Sequence, residues 1–231
     1  MDLSAPNVGL AVILGVCSYL HYRCSKSPNP PPAKPYEKDR LGIFKVDTKP
    51  KLFLVALYLA LTSIYQAALM LFPNRRSEFC LNPNLLNEGL LSWSGYTVTF
   101  IVFVSLGALV RLMAYAHLGQ NFTYALAKPT HIIKNGIYGY VQHPSYTGIY
   151  LLLISTFFSF SRVDGVGACL LPSSIVRVNG MNIALWVLTT SIAILSFSVR
   201  VRDEEEMLEK EFGKEWVDYH KVTARFIPGV I

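Results

Sequence analysis

Five stretches of this chain are apolar and carry no Asp, Glu, Lys or Arg: residues 6–22, 52–72, 89–110, 144–160 and 180–199. A helix needs about 20 apolar residues to cross a hydrocarbon core roughly 30 Å thick. The pattern therefore predicts an all-α, polytopic membrane bundle of about five transmembrane helices. The stretch 6–22 is short and spans if it stands nearly upright or its ends snorkel; 144–160 is short as well. Pro73 and Asn74 end the second stretch and Arg111 stops the third. Ser105, Gly107 and Ala108 are small enough for close helix approach.

The polar intervals differ in character. Residues 23–51 are rich in proline (Pro28, Pro30, Pro31, Pro32, Pro35, Pro50) and basic (Arg23, Lys26, Lys34, Lys38, Arg40, Lys45, Lys49, Lys51), which reads as an irregular, solvated linker with polyproline character. Residues 113–141 are too polar to span. Residues 162–179 hold Gly165, Gly167 and Pro172 and read as a loop, in part re-entrant. Residues 200–219 are strongly charged, with Leu208, Phe212, Trp216 and Tyr219 at helical spacing, which predicts a C-terminal helix with one apolar face. Residues 23–51, 113–141 (flanked by Arg111) and the tail together carry most of the Lys and Arg, whereas 74–88 and 162–179 hold two basic residues each. By the positive-inside rule, the first three face the cytosol and the other two the lumen.

Composition sharpens this. The 231 residues are 52% hydrophobic and 16% charged, with a mean hydropathy of +0.36; soluble domains are about 25% charged. The net charge of +6 reports topology, since no Lys/Arg cluster interleaved with aromatics suggests nucleic acid. Cys17, Cys24, Cys80 and Cys169 show no Cys-x-x-Cys spacing, so no metal site is expected. Cys80 and Cys169 both fall in predicted lumenal loops, and whether they are bridged stays open. The first apolar stretch is a poor signal peptide, because Asp2 and no basic residue precedes it.

Candidate chemistry sits in two places. Residues 134–148 are polar, glycine-punctuated and aromatic. Asn135-Gly136 signals a turn, and Pro144 keeps His143 out of the helix that starts at 144 or 145. His143 then lies beside unpaired N–H groups and a positive dipole end, which favour an anionic ligand group. An interfacial turn anchored by aromatics is the plainer alternative. Arg200 and Glu204 lie one helical turn apart where a span ends. They form either a surface ion pair or a functional pair at membrane depth. Arg202, Asp203, Glu205, Glu206 and Glu209 read as a solvated helix face.

The pattern Gly136-Ile137-Tyr138, then His143-Pro144-Ser145-Tyr146-x-Gly148, then Arg200-x-x-x-Glu204-Glu205, then Leu208, Phe212-Gly213, Trp216 and Tyr219, then Ile227-Pro228, resembles the isoprenylcysteine carboxyl methyltransferase family. The resemblance covers about the C-terminal half, from Gly119-Gln120-Asn121-Phe122 onward. It implies an N-terminal transmembrane region (1–118) and a methyltransferase region (119–231). S-adenosylmethionine would be the cofactor, with Tyr138, His143, Pro144, Ser145, Tyr146 and Glu204 lining its pocket and His131, Ile132 and Ile133 flanking it. Arg200 would hold the substrate carboxylate of prenylated CaaX proteins, in the endoplasmic reticulum membrane with the active site facing the cytosol. Membrane lipid would be the other partner. Two departures stand out: Gln142 replaces an arginine usual before the His-Pro pair, and residues 127–130 replace a longer polar insertion. A phospholipid N-methyltransferase and a non-catalytic membrane scaffold using the proline-rich loop are the alternatives. Arg200 argues against the former, because it would repel a protonated amine. Five spans place the two termini on opposite sides, so tags at the two ends should differ in protease accessibility in intact microsomes; protection of both, or exposure of both, would refute that count.

Overall fold

A computed structural model describes residues 5–40 and 49–229, so Asp2 and Lys45 lie outside the described residues. Six helices carry the architecture: α1 (Ala5–Ser25), α2 (Lys49–Leu71), α3 (Gly95–Leu118), α4 (Pro144–Ser159), α5 (Met181–Phe212) and α6 (Lys214–Val222). One-turn helices at Arg76–Phe79, Val166–Leu170 and Ser173–Val176 punctuate the loops. Among the described residues the β content is one isolated parallel bridge, Val141 to Ala224. The all-α class read from the hydrophobic pattern is borne out.

Local chemistry sets the boundaries. Pro50 lies in the first turn of α2, where its missing N–H costs nothing. Ser94 caps α3 reciprocally: its Oγ accepts from Tyr96 N at 3.1 Å while its own N–H donates to Thr97 Oγ1 at 3.0 Å. α4 starts at Pro144, as the His-Pro pair requires. Gly213 ends α5 at φ +52, a left-handed conformation that favours glycine.

Four segments are long and apolar enough to cross a membrane: Asn7–Ser25, Pro50–Leu71, Glu88–Asn121 and Met181–Phe212. The chain is a multi-pass membrane protein. The remaining apolar stretch forms α4, whose 16 residues reach about 24 Å, short of a full hydrocarbon core.

Three expectations change. Arg111 does not stop the third helix, which runs on to Leu118, because protein groups satisfy its side chain. The last span does not stop at residue 199 either; α5 continues unbroken through Arg200 to Phe212, and the expected 200–219 helix is divided at Gly213. The 162–179 interval contains two short helices.

The chain divides into two units. Among the described residues, one holds 5–23, 53–106 and 151–191; the other holds 24–40, 49–52, 107–150 and 192–229. α3, α4 and α5 each contribute to both. In the first unit Leu10, Leu14, Leu69, Phe100 and Leu152 are buried. Polar side chains join its helices: Gln66 Nε2 donates to Leu90 C=O at 2.8 Å and to Ser159 Oγ at 3.1 Å, and His21 Nε2 lies 3.0 Å from Ser155 Oγ. Without water between helices, such bonds supply association that hydrophobicity cannot. A Cys80–Cys169 disulfide ties its loops. Nearby, burial disfavours the Asp164 carboxylate, but hydrogen bonds from Arg162, Asn87 and Asn182 outweigh it and hold the carboxyl below its usual range.

In the second unit, α3 and α4 meet at two glycines. A Cβ on Gly148 would lie 2.8 Å from Arg111 N and from Gly107 C=O. Gly136, at φ +58, faces the His117 ring so closely that a Cβ would overlap it. The C-terminal segment closes on the start of α4: Gln142 N–H donates to Ala224 C=O at 2.8 Å and His143 N–H to Arg225 C=O at 2.9 Å.

Gly148→Ala should destabilise the protein by about 1–3 kcal/mol, since backbone atoms cannot move aside as a side-chain end does. Gly15→Ala, with nothing near the added methyl, should be neutral or stabilising by about 0.5–1 kcal/mol. Thermal unfolding of the two variants in one detergent compares them; equal midpoints would refute the close contact.

Candidate active site

The second unit gathers the candidate residues around two arginines. Arg111, on α3, is 4% exposed. Its Nε donates to Cys24 C=O at 2.8 Å. Its Nη1 donates to Ser145 C=O at 3.0 Å and to Ser145 Oγ at 2.7 Å, and its Nη2 to Tyr124 OH at 3.0 Å. The rings of Tyr115, Phe122 and Tyr124 lie 5.0, 5.8 and 5.7 Å from the guanidinium carbon. Carbonyls, hydroxyls and π-faces thus solvate a cation that has no carboxylate partner among the described residues. Ser145 belongs to the first turn of α4, so this arginine fixes the start of that helix.

Arg200, 8% exposed, is the second. It does not pair with Glu204 on the helix surface. Its Nη1 donates to Asp39 Oδ1 and its Nη2 to Tyr124 C=O, while Nε donates to Tyr146 OH at 3.3 Å. Tyr146 OH in turn donates to Glu204 Oε2 at 2.8 Å. One hydroxyl therefore links the guanidinium to the carboxylate, and it holds three residues of the pattern read from sequence, Tyr146, Arg200 and Glu204, in one chain of bonds. The Tyr146 ring rests 5.7 Å from those of Phe197 and His143.

His143 is buried beside Glu205, its Nε2 3.2 Å from Oε1. Arg225 Nη2 reaches the other oxygen of Glu205 at 3.1 Å. Gln142 Nε2 donates to His220 C=O at 3.2 Å and to Thr223 C=O, and Gln142 Oε1 lies 2.8 Å from His220 Nδ1. Gln142 thus serves the backbone of the C-terminal segment, and Arg225 carries the positive charge next to Glu205. A cavity of about 410 Å³, lined by Glu205, Trp216, His220 and Arg225 among others, opens beside them.

Tyr138 is buried, and burial followed by the negative charge of Glu204 pushes its phenol above the ordinary range. Tyr219 OH donates to Tyr138 C=O at 2.6 Å, and burial pushes that phenol up to about 12, so it stays a donor throughout the physiological range. The α4 N-terminus is less open than its sequence suggests, because Tyr146 N–H and Thr147 N–H both donate to His143 C=O.

Tyr138, His143, Pro144, Ser145, Tyr146, Arg200 and Glu204 come together in this one unit. His131 is exposed, its Nδ1 3.0 Å from Thr130 Oγ1, and Ile132 and Ile133 are half-buried on the same loop. Among the described residues no hydrogen bond or ion pair joins these three to the rest. The solvated reading of Arg202, Asp203, Glu205, Glu206 and Glu209 is corrected for Asp203 and Glu205: Asp203 is 2% exposed and takes Arg40, through Nε at 2.8 Å, and Glu205 takes His143 and Arg225. The linker reading of 23–51 is corrected likewise, since Asp39 is buried and Tyr36 N–H donates to Leu126 C=O at 2.6 Å. Sequence reasoning passed over Asp39, Arg111 and Tyr124. Only Arg111 carried a signal, as a lone charge interrupting an apolar run.

Comparison with known proteins agrees with the resemblance that the motifs carry. Residues 99–169 match the sequence model of the isoprenylcysteine carboxyl methyltransferase family. A protein-S-isoprenylcysteine O-methyltransferase of Dictyostelium discoideum is 32% identical over 128 residues, 54% of this chain and 46% of that protein. One of Schizosaccharomyces pombe is 27% identical over 140 residues, 59% of this chain and 51% of that protein. A probable protein-S-isoprenylcysteine O-methyltransferase of Oryza sativa subsp. indica is 26% identical over 156 residues, 66% of this chain and 69% of that protein. The chain thus spans about half the length of the first two. The family segment includes Arg111 and the His143–Tyr146 turn and ends before Arg200 and Glu204.

Arg111→Met keeps a long side chain and removes every donor. It should cost about 3 kcal/mol or more, because Ser145 C=O and Tyr124 OH lose a charged partner in a buried setting. Thermal unfolding measures this; a loss under about 1 kcal/mol would mean that the guanidinium is not needed to seat α4.

Proposed function

We propose that this protein transfers a methyl group from S-adenosylmethionine to the C-terminal carboxylate of prenylated cysteine in processed CaaX proteins. The observation that carries the reading is the bonded series Arg200–Tyr146–Glu204 at the positions of the family pattern. The named activity of the relatives supports it.

The residues present fit such a cofactor. Glu204 is half-buried, accepts from Tyr146 OH and has no ion-pair partner among the described residues. It therefore keeps acceptor capacity for an ammonium or for ribose hydroxyls. Tyr138 and Tyr146 offer rings, whose faces suit a cationic centre. When bound, S-adenosylmethionine supplies an electrophilic methyl on a sulfonium.

The chain's task is orientation. An acceptor carboxylate is ionised near pH 7, so no general base is needed. One of its oxygens donates an electron pair to the methyl carbon as the S–CH₃ bond breaks, leaving a neutral ester and a neutral thioether, and no proton moves. Arg200 holds the acceptor and Tyr146 fixes Arg200 against Glu204, so rate comes from proximity and alignment. Asp39 and Arg111, from the part before residue 119, complete the surroundings of residues in 119–231. A prenyl tail is drawn from the bilayer, which favours it by about 0.8 kcal/mol per CH₂.

The proposed orientation is the endoplasmic reticulum membrane with the arginine-rich segments in the cytosol. The Lys/Arg asymmetry supports it, and so does the Cys80–Cys169 disulfide, which belongs on an oxidising side.

The test is transfer of labelled methyl, in membranes containing this protein, to a small farnesylcysteine and, in parallel, to phosphatidylethanolamine. The expected result is transfer to the former only. Arg200→Lys, which keeps charge and loses the planar fork, should retain cofactor affinity and lose roughly tenfold or more in transfer. Near-normal transfer by a folded Arg200→Ala would overturn the clamp and favour a phospholipid acceptor.

A further inference from the structure

The segment before α2 contributes a carboxylate to Arg200, and nothing in the reaction proposed above requires one. Asp39 is 8% exposed. Its Oδ1 accepts from Arg200 Nη1 and its Oδ2 accepts from Leu126 N–H at 2.8 Å. The residues around it are fastened on both sides. Tyr36 N–H donates to Leu126 C=O. Arg40 donates to Asp203 through its backbone N–H at 3.1 Å and its Nε at 2.8 Å, and Lys38 reaches Glu206 at 3.0 Å. This carboxylate is built into the site.

An arginine has five N–H donors. In Arg200, Asp39, Tyr124 C=O and Tyr146 OH take three of them. Among the described residues the other two, one on each Nη, take no protein acceptor, and two is the number a bidentate carboxylate needs.

We propose that Asp39 is a positioning residue for the acceptor carboxylate, sharing Arg200 so that the acceptor is oriented without being over-stabilised. The inference rests on the reading that Arg200 receives the acceptor. Its physical basis is the direction of charge change. The acceptor starts with a full negative charge and loses it on becoming an ester. A guanidinium therefore holds the ground state more tightly than the transition state. Binding of that kind lowers KM and raises the barrier from the bound complex. A second carboxylate on the same guanidinium weakens the pull on the acceptor while leaving the fork's geometry in place.

Asp39→Asn removes the charge and keeps an oxygen that can accept from Leu126 N–H. Two measurements test it, on the full chain in lipid nanodiscs. In transfer to farnesylcysteine, KM should fall about 3–10-fold and kcat should fall with it. Without cofactor, the Kd for farnesylcysteine should fall similarly, whereas the Kd for its carboxamide should not change. Asp39→Glu, which restores the charge, should return KM and Kd toward the parent values. Asp39→Ser repeats the test with a smaller neutral group should Asn fold poorly. A KM that is unchanged or raised in a folded Asn or Ser variant would overturn the proposal, as would equal shifts for carboxylate and carboxamide. A purely structural role lowers thermal stability and kcat without lowering KM, and so counts against it. A parent protein that neither binds nor methylates farnesylcysteine overturns the underlying reading itself; a parent that does both, with variants that do not shift, overturns only the role of Asp39.

Discussion

A guanidinium buried among membrane-spanning helices has to be met by protein donors and acceptors, because the surrounding hydrocarbon supplies none. Arg111 satisfies that constraint with the end of α1, the first turn of α4 and the loop after α3. Much else follows from it. The α3 helix continues past its own charge, to Leu118, because the charge is matched from within. Gly148 has to be glycine, since α4 must come close enough for Ser145 to reach Arg111. The His143 turn is then fixed in front of α4, and the C-terminal segment pairs with it through Gln142 and His143.

Four carboxylates on or beside α5 have four distinct settings, although in sequence they look alike. Asp203 is buried and anchors Arg40. Glu205 is divided between His143 and Arg225. Asp39 holds Arg200. Glu204 receives a tyrosine hydroxyl and is left for a ligand. What separates the positions on α5 is the helical period: residues 200, 203 and 204 lie within about a turn of one another and face the packed side, while 202, 206 and 209 are exposed.

The apolar runs and Pro144 made the helices legible in the chain, since length and a proline act locally, whereas the break at Gly213 was hidden inside a charged stretch whose apolar residues keep helical spacing. The motif pattern likewise singled out Tyr138, His143, Tyr146, Arg200 and Glu204. What stayed hidden depends on long-range partners. Nothing local distinguishes Asp39 from the other charges of a proline-rich segment; its burial comes from Arg200 and Leu126. Arg111 looked like a stop signal because an arginine after an apolar run is one unless the protein itself solvates it. Asp203 and Glu205 were read as solvated because a run of acids on a helix usually is. His131, Ile132 and Ile133 aligned by spacing more than by identity, and among the described residues none of the three is bonded to the cluster.

The contact of Asp39 with Arg200 also sets a schedule for making the protein. The two residues are separated by 161 positions, which at about 5–20 residues per second is roughly 8–30 s of translation. Lys38 and Arg40 wait equally long for Glu206 and Asp203. Until then Asp39 and Tyr36 have the backbone of Leu126 as a partner, but the charged side chains that pair with Lys38, Asp39 and Arg40 do not yet exist. A chain cut short before residue 200 therefore lacks the side-chain partners of Lys38, Asp39 and Arg40, and the segment around them should be cut by a protease more readily than in the full-length chain.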